Sequence, residues 1–264
     1  MKINRRDFLK ATALTSLYFA GFGTPTLASN SPKKNLVVIM LRGGMDGLCA
    51  IPIRGDKNFE KLRSKINLDK TLDLTSDFDL HPALTSFKRL WDQNLAAAVH
   101  ATNIPYTGRS HFDGQNLMES GGKIPYQEKT GWLGRGMNIA GLTGNGLALA
   151  LPMPLLIRGV PMNNNYYPVG DKLPSNSTLG LIEQAFKEYD EKLLSENLKI
   201  VMTRELKNTG SRKNWSLAAN AGEELSKPNG PRVAVFEVDG FDTHAAQGGT
   251  NGAHADCLSD YNEI

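Results

Sequence analysis

The apolar run Leu36 to Leu41 ends abruptly in Arg42, two glycines and an acid, and a second run, Val233 to Val238, ends in Asp239, Gly240, Asp242 and His244. Near-continuous apolar character, interrupted only by Glu237 in the second run, predicts strands covered on both faces, as in a parallel sheet. Between them the period changes. Leu84, Phe87, Leu90 and Trp91 recur at helical spacing in "HPALTSFKRLWDQN", ahead of a further predicted strand, "LAAAVHAT". "RSHFDGQNLMESGG" opens a second helix, with Ser110 three residues before Asp113 and a stop at Gly121–Gly122. "TGWLGRGMNIAG" predicts a short helix, "GLALALPMPLLIRG" one or two short strands, and "NNNYYPVGDKLPSNS" a loop. A long charged helical stretch is predicted over 178–207, a shorter helix around Trp215 to Leu225, and a last one from Ala253. Strands alternating with helices predict an α/β fold with a mostly parallel central sheet flanked by helices.

The first 28 residues follow a different logic. "NRRDFLK" joins Arg5 and Arg6 to a moderately apolar stretch from Ala11 to Phe22, followed by the small-residue segment "TPTLAS". This is the anatomy of a cleavable secretory signal of the twin-arginine (Tat) type, with cleavage expected after Ala28. The apolar stretch is too short and too rich in Thr, Ser and Gly to make a bilayer-spanning helix, so no stable membrane anchor is expected after cleavage. The expected organisation is a signal over 1–28, a linker over 29–35 and one α/β domain over 36–264. The expected localisation is periplasmic or extracytoplasmic, with the Tat machinery as partner.

Removing the signal changes the charge. Lys2, Arg5, Arg6 and Lys10 against Asp7 give residues 1–28 a net +3, which equals the formal charge of the whole chain, so residues 29–264 are neutral overall. With no basic stripe interleaved with aromatics, nucleic acid is disfavoured and is not expected as a partner. The two cysteines, Cys49 and Cys257, would meet an oxidising compartment, which permits a disulfide, but one distant pair is no framework.

Candidate chemistry clusters at predicted strand ends: Asp46 after the first, Ser110 and His111 after "LAAAVHAT", Asp242 and His244 after the last. In a parallel sheet these loops share the carboxyl edge, where α/β proteins bind ligands. Asp46, Asp242 and His244 are candidate ligands for a divalent metal such as zinc, manganese, magnesium or calcium. Equally, Asp242 could cap its turn and His244 the following helix. Ser110 is at once a helix cap and, at a helix N-terminus that stabilises negative charge, a candidate nucleophile for a small anionic ester. Arg109 beside it is a candidate anion-binding group. His81 reads as a helix cap and His100 as a core histidine. "CAIPIRG" does not fit the C-x-P-x-R consensus for formylglycine, because Pro and Arg each fall one place late after Cys49.

"LRGGMDGL", "VHATNIPYTGRSHFDGQNLMESG", "GWLGRGMN" and "GFDTHAAQG", in that order behind a twin-arginine signal, resemble the exported bacterial family known as domain of unknown function 1501. That family is grouped with the alkaline phosphatase and sulfatase superfamily. The resemblance implies a central sheet between helices with a metal site at its carboxyl edge. By position, Asp46 resembles the first-strand metal aspartate, Ser110 the nucleophile, and Asp242 with His244 the later metal-binding loop. Family members continue well past the equivalent of Ile264, through an acidic segment and an Asp-His-Gly motif that would complete the metal site. The domain is therefore expected to be incomplete at its C-terminus.

The leading expectation is an exported, metal-dependent hydrolase of phosphate or sulfate esters, and the alternative a non-catalytic periplasmic binding or assembly protein. Replacing Arg5 and Arg6 by lysines should leave unprocessed precursor in the cytoplasm, because the paired guanidinium groups are what the Tat receptor reads. Fractionation and immunoblotting would show it, and normal periplasmic accumulation would mean another export route.

Overall fold

The computed structural model describes residues 34–150, 152–159, 163–165, 175–188, 198 and 213–264. The expected export signal, most of the linker and most of the stretch 189–207 lie outside the described residues. The elements in chain order are β1 (Leu36–Leu41), α1 (Gly47–Ala50), α2 (Lys57–Leu62), β2 (Leu72–Asp73), β3 (Asp79–Leu80) and α3 (Thr85–Asp92). After them come α4 (His111–Ser120), α5 (Trp132–Ile139), β4 (Gly146–Ala148), a 3-10 turn (Leu155–Ile157) and β5 (Asn164–Asn165). The chain closes with α6 (Asn176–Glu188), α7 (Asn214–Ser226), β6 (Val233–Val238) and α8 (Ala253–Asn262). Among the described residues no helix is long and apolar enough to cross a membrane.

The main sheet runs β1-β6-β4-β5 with every pair parallel, and β2 and β3 form a separate antiparallel pair. Strand β6 holds the centre, in register with β1 from Leu36↔Val233 to Leu41↔Val238 and with β4 from Gly146↔Val233. Its side chains alternate between two cores, which explains why every residue of it but Glu237 is apolar. Ala234, Phe236 and Val238 pack with Leu217, Ala221 and Leu225 of α7 and Leu258 of α8. Val233 and Val235 face the other way, against Leu133 and Met137 of α5 and Leu156 and Ile157 of the 3-10 turn. Helices thus cover both faces of a parallel sheet, the α/β layering the alternation predicted. Each large side chain fully removed from water here contributes roughly 1.5–3 kcal/mol.

One predicted strand is not formed. Residues 95–100 form no regular structure, with Leu95 and Val99 left 69% and 81% exposed. A strand needs a ladder partner, and among the described residues nothing pairs the outer side of β1, where the Val37, Ile39 and Leu41 backbone groups face away from β6. His100 is tethered instead through Nε2 to the Ile51 carbonyl oxygen, 3.0 Å away. The predicted loop after residue 162 also differs in part, since Asn164–Asn165 adds the short edge strand β5.

A buried charge network ties the layers. Arg42, just past β1, pairs with Glu119 of α4 at 2.5 Å and with Glu237 of β6, and the other Glu119 oxygen accepts the Leu156 N–H at 2.9 Å. The side chains of Arg42 and Glu119 are only 14% and 6% exposed. Burial works against the guanidinium charge, but the two glutamates outweigh it and raise the Arg42 pKa. Glu119→Ala would strand part of that charge and orphan the Leu156 amide, so it should cost about 3 kcal/mol in urea unfolding. Glu119→Gln, which can still accept from Leu156, should lose less, and equal stability of the three proteins would remove the network's structural role.

Candidate metal centre

The loops after β1 and β6 leave the same edge of the sheet side by side. Arg42 N–H donates to the Val238 carbonyl at 2.8 Å, and Phe241 N–H returns a bond to the Arg42 carbonyl at 3.1 Å. Gly43 then turns with φ +108°, and a Cβ built on it would stand 2.3 Å from the Asp242 nitrogen. Only glycine permits both that dihedral and that approach. Helix α4 closes the third side, with Ser110 as its N-cap accepting from Asp113 N–H at 3.2 Å and Gly121 ending it in the left-handed conformation. The reciprocal half of the capping box runs through Tyr106. Its hydroxyl accepts from Ser110 N–H at 3.3 Å and donates to Asp113 Oδ2 at 3.2 Å.

At this junction His111 Nε2 lies 3.2 Å and His244 Nε2 2.8 Å from Asp242 Oδ1, with the two imidazole rings nearly perpendicular. One ligand atom from each of the three residues falls within 4.8 Å of the others. Donors at zinc–ligand lengths of about 2.0–2.2 Å around one tetrahedral ion stand about 3.4 Å apart, so small side-chain rotations would seat an ion. Two imidazoles and one carboxylate suit zinc or manganese better than magnesium or calcium, which favour all-oxygen sites. The His244 side chain is 76% exposed and caps no helix: α8 has Gly252 as its N-cap and no side-chain cap bond.

Asp46 stands on the same edge but serves another purpose. It caps α1, accepting from Leu48 and Cys49 N–H, and its Oδ2 also takes Arg63, the Cys49 thiol at 3.1 Å and Gln247 Nε2 at 2.8 Å. Burial alone would raise its pKa, but Arg63, Cys49 and Gln247 prevail and hold the carboxyl at about 2. Burial first, then the hydrogen bond to Asp46 and its charge, push the Cys49 thiol up to about 12. Beneath lies buried His254, whose Nε2 accepts Asp46 N–H at 3.3 Å and whose Nδ1 has no partner. Burial lowers its pKa. Both cysteines are free thiols.

The structure therefore brings Asp242 and His244 together with His111, a residue the sequence placed on the right edge without assigning it to the metal. Its signal was the position after Ser110 at the predicted helix start. Ser110 and Arg109 flank it on a cleft of about 520 Å³ that runs along β1. His81 is fully buried, but its Nδ1 accepts Ala83 N–H at 3.1 Å in the turn ahead of α3, whose N-cap is Leu84 without a side-chain bond, so it does not cap that helix as expected. No protein family profile, no curated protein and no solved structure matches this chain.

The Asp46 carboxyl titrates near 3.8 when unfolded and at about 2 when folded. Its folded pKa is the lower one, so its contribution of about 2 kcal/mol is present above pH ~4 and is lost as pH falls toward 2. Urea midpoints of the wild type should drop across that window, whereas Asp46→Asn should start lower at pH 7 and lose less on acidification. Parallel pH profiles for the two would contradict the pairing.

Proposed function

We propose that this protein is an exported, metal-dependent hydrolase of phosphate or sulfate esters, of the alkaline phosphatase and sulfatase type, centred on His111, Asp242 and His244. The observation that carries the reading is the meeting of these three donors, from α4 and from the loop after β6, at the carboxyl edge of a parallel sheet. A divalent ion held there would supply Lewis acidity toward the ester oxygens. The chain's own groups supply the rest. Exposed Arg109 offers a forked donor to the anionic head. The Ser110 oxygen accepts from Asp113 N–H and keeps its own proton to give up. In the proposed reaction that oxygen bonds to phosphorus or sulfur, the ester bond to the alcohol breaks, and the alcohol departs with the proton. Water then cleaves the seryl ester and restores Ser110.

A second reading is favoured by one feature. With the Asp46 carboxylate fixed by Arg63 and Gln247, the ligand set from the described residues stops at three. A non-catalytic periplasmic binding protein would need no more.

Calorimetric titration of the purified protein with zinc should show one equivalent bound, weakened at least tenfold by His111→Ala and by His244→Ala. The zinc-loaded protein should hydrolyse p-nitrophenyl phosphate or sulfate, with Ser110→Ala reducing turnover at least a hundredfold. Stoichiometric zinc without turnover would select the binding reading, and absence of zinc binding would remove both.

A further inference from the structure

We infer that the cleft beside the metal cluster selects esters whose alcohol portion is an apolar aryl or alkyl group rather than a sugar or other polyol, an inference that rests on the metal-dependent reading of the site. The cleft has a polar end and an apolar body. Arg109, Ser110 and His111 stand at the end shared with the metal cluster, while Ile39, Leu41, Met45, Ile104 and Met118 supply most of the remaining wall. The other polar side chains in that wall are largely engaged, with the Gln115 amide nitrogen as the remaining donor. The Tyr106 hydroxyl joins Ser110 N–H to Asp113, which leaves its ring toward the cleft, and the Gln115 carbonyl accepts from Arg42. A polyol placed there would lose its hydrogen bonds to water and find few replacements, whereas a hydrocarbon body would displace water from apolar wall. The head group would then be drawn to Arg109 and the cluster.

Gly114 provides the test. It lies within α4 on the cleft wall, and a Cβ there would meet the Tyr106 ring at 3.5 Å and Ile104 at 3.9 Å, ordinary contact distances. Gly114→Leu therefore fits the helix, favours it by propensity, and extends a side chain into the cleft. The probes are methyl-, butyl-, hexyl- and octylphosphonate, which carry no ester to hydrolyse, titrated calorimetrically into the zinc-loaded protein. Affinity should rise about three- to fourfold per methylene until the cleft is filled. In Gly114→Leu the series should flatten while zinc affinity and thermal midpoint are kept. Zinc binding with a flat series in the wild type would overturn this inference alone. The same flat series with a wild-type dimer that Gly114→Leu dissociates would assign the cleft to a second copy. Failure of zinc to bind would take away the metal reading and this inference with it.

Discussion

The close approach of Gly43 to the Asp242 amide is the constraint from which the site follows. With no side chain between them, the chains leaving β1 and β6 stay in contact beyond the last paired residues, Leu41 and Val238. The exchange of backbone bonds through Arg42 carries the contact past the last pair, to Arg42 on one side and Phe241 on the other. Asp242 and His244 are thereby held over the sheet edge where the N-terminus of α4 arrives. The Arg42 guanidinium points the other way, to Glu119 at the far end of α4, and so fixes that helix against the same strand pair. A single residue thus serves both the backbone clamp and the helix anchor.

Two polar groups of opposite character result. Around Asp46 everything is inward: the carboxylate joins the cap of α1, Arg63 beyond α2, Gln247 beyond β6 and, through its amide, His254 of α8. Such a cluster is stable only while fully partnered, because a buried charge left alone is costly. Around Asp242 the side chains are partly or largely exposed, and one carboxylate oxygen is shared by two imidazoles. That arrangement can exchange its protons for a metal ion without disturbing the interior.

Strands β1, β4 and β6, most helices and the carboxyl-edge grouping were legible because they rest on local rules. Dominantly apolar six-residue runs marked β1 and β6, and Ser110 with Gly121 marked the ends of α4 before any tertiary contact was known. What escaped depends on partners distant in sequence. Asp46 could be read as a ligand because nothing local indicates that Arg63 and Gln247 reach it. The run from Leu95 had strand character but no neighbour to pair with among the described residues, and pairing is not a local property. His111 was hidden by its neighbour, since a capping serine explains the position so well that the next residue attracts no separate account. The family resemblance placed Asp46 at the metal for the same positional reason, and the geometry favours His111.

The central claim is that His111 and His244 meet across Asp242 to hold an ion. X-ray absorption at the zinc edge of the loaded protein tests it most directly. The account predicts a shell of nitrogen and oxygen donors at about 2.0–2.2 Å, with outer scattering from two imidazole rings and no sulfur. A sulfur scatterer at about 2.3 Å, or a single imidazole, would place the ion at a cysteine or elsewhere on the surface and contradict the account.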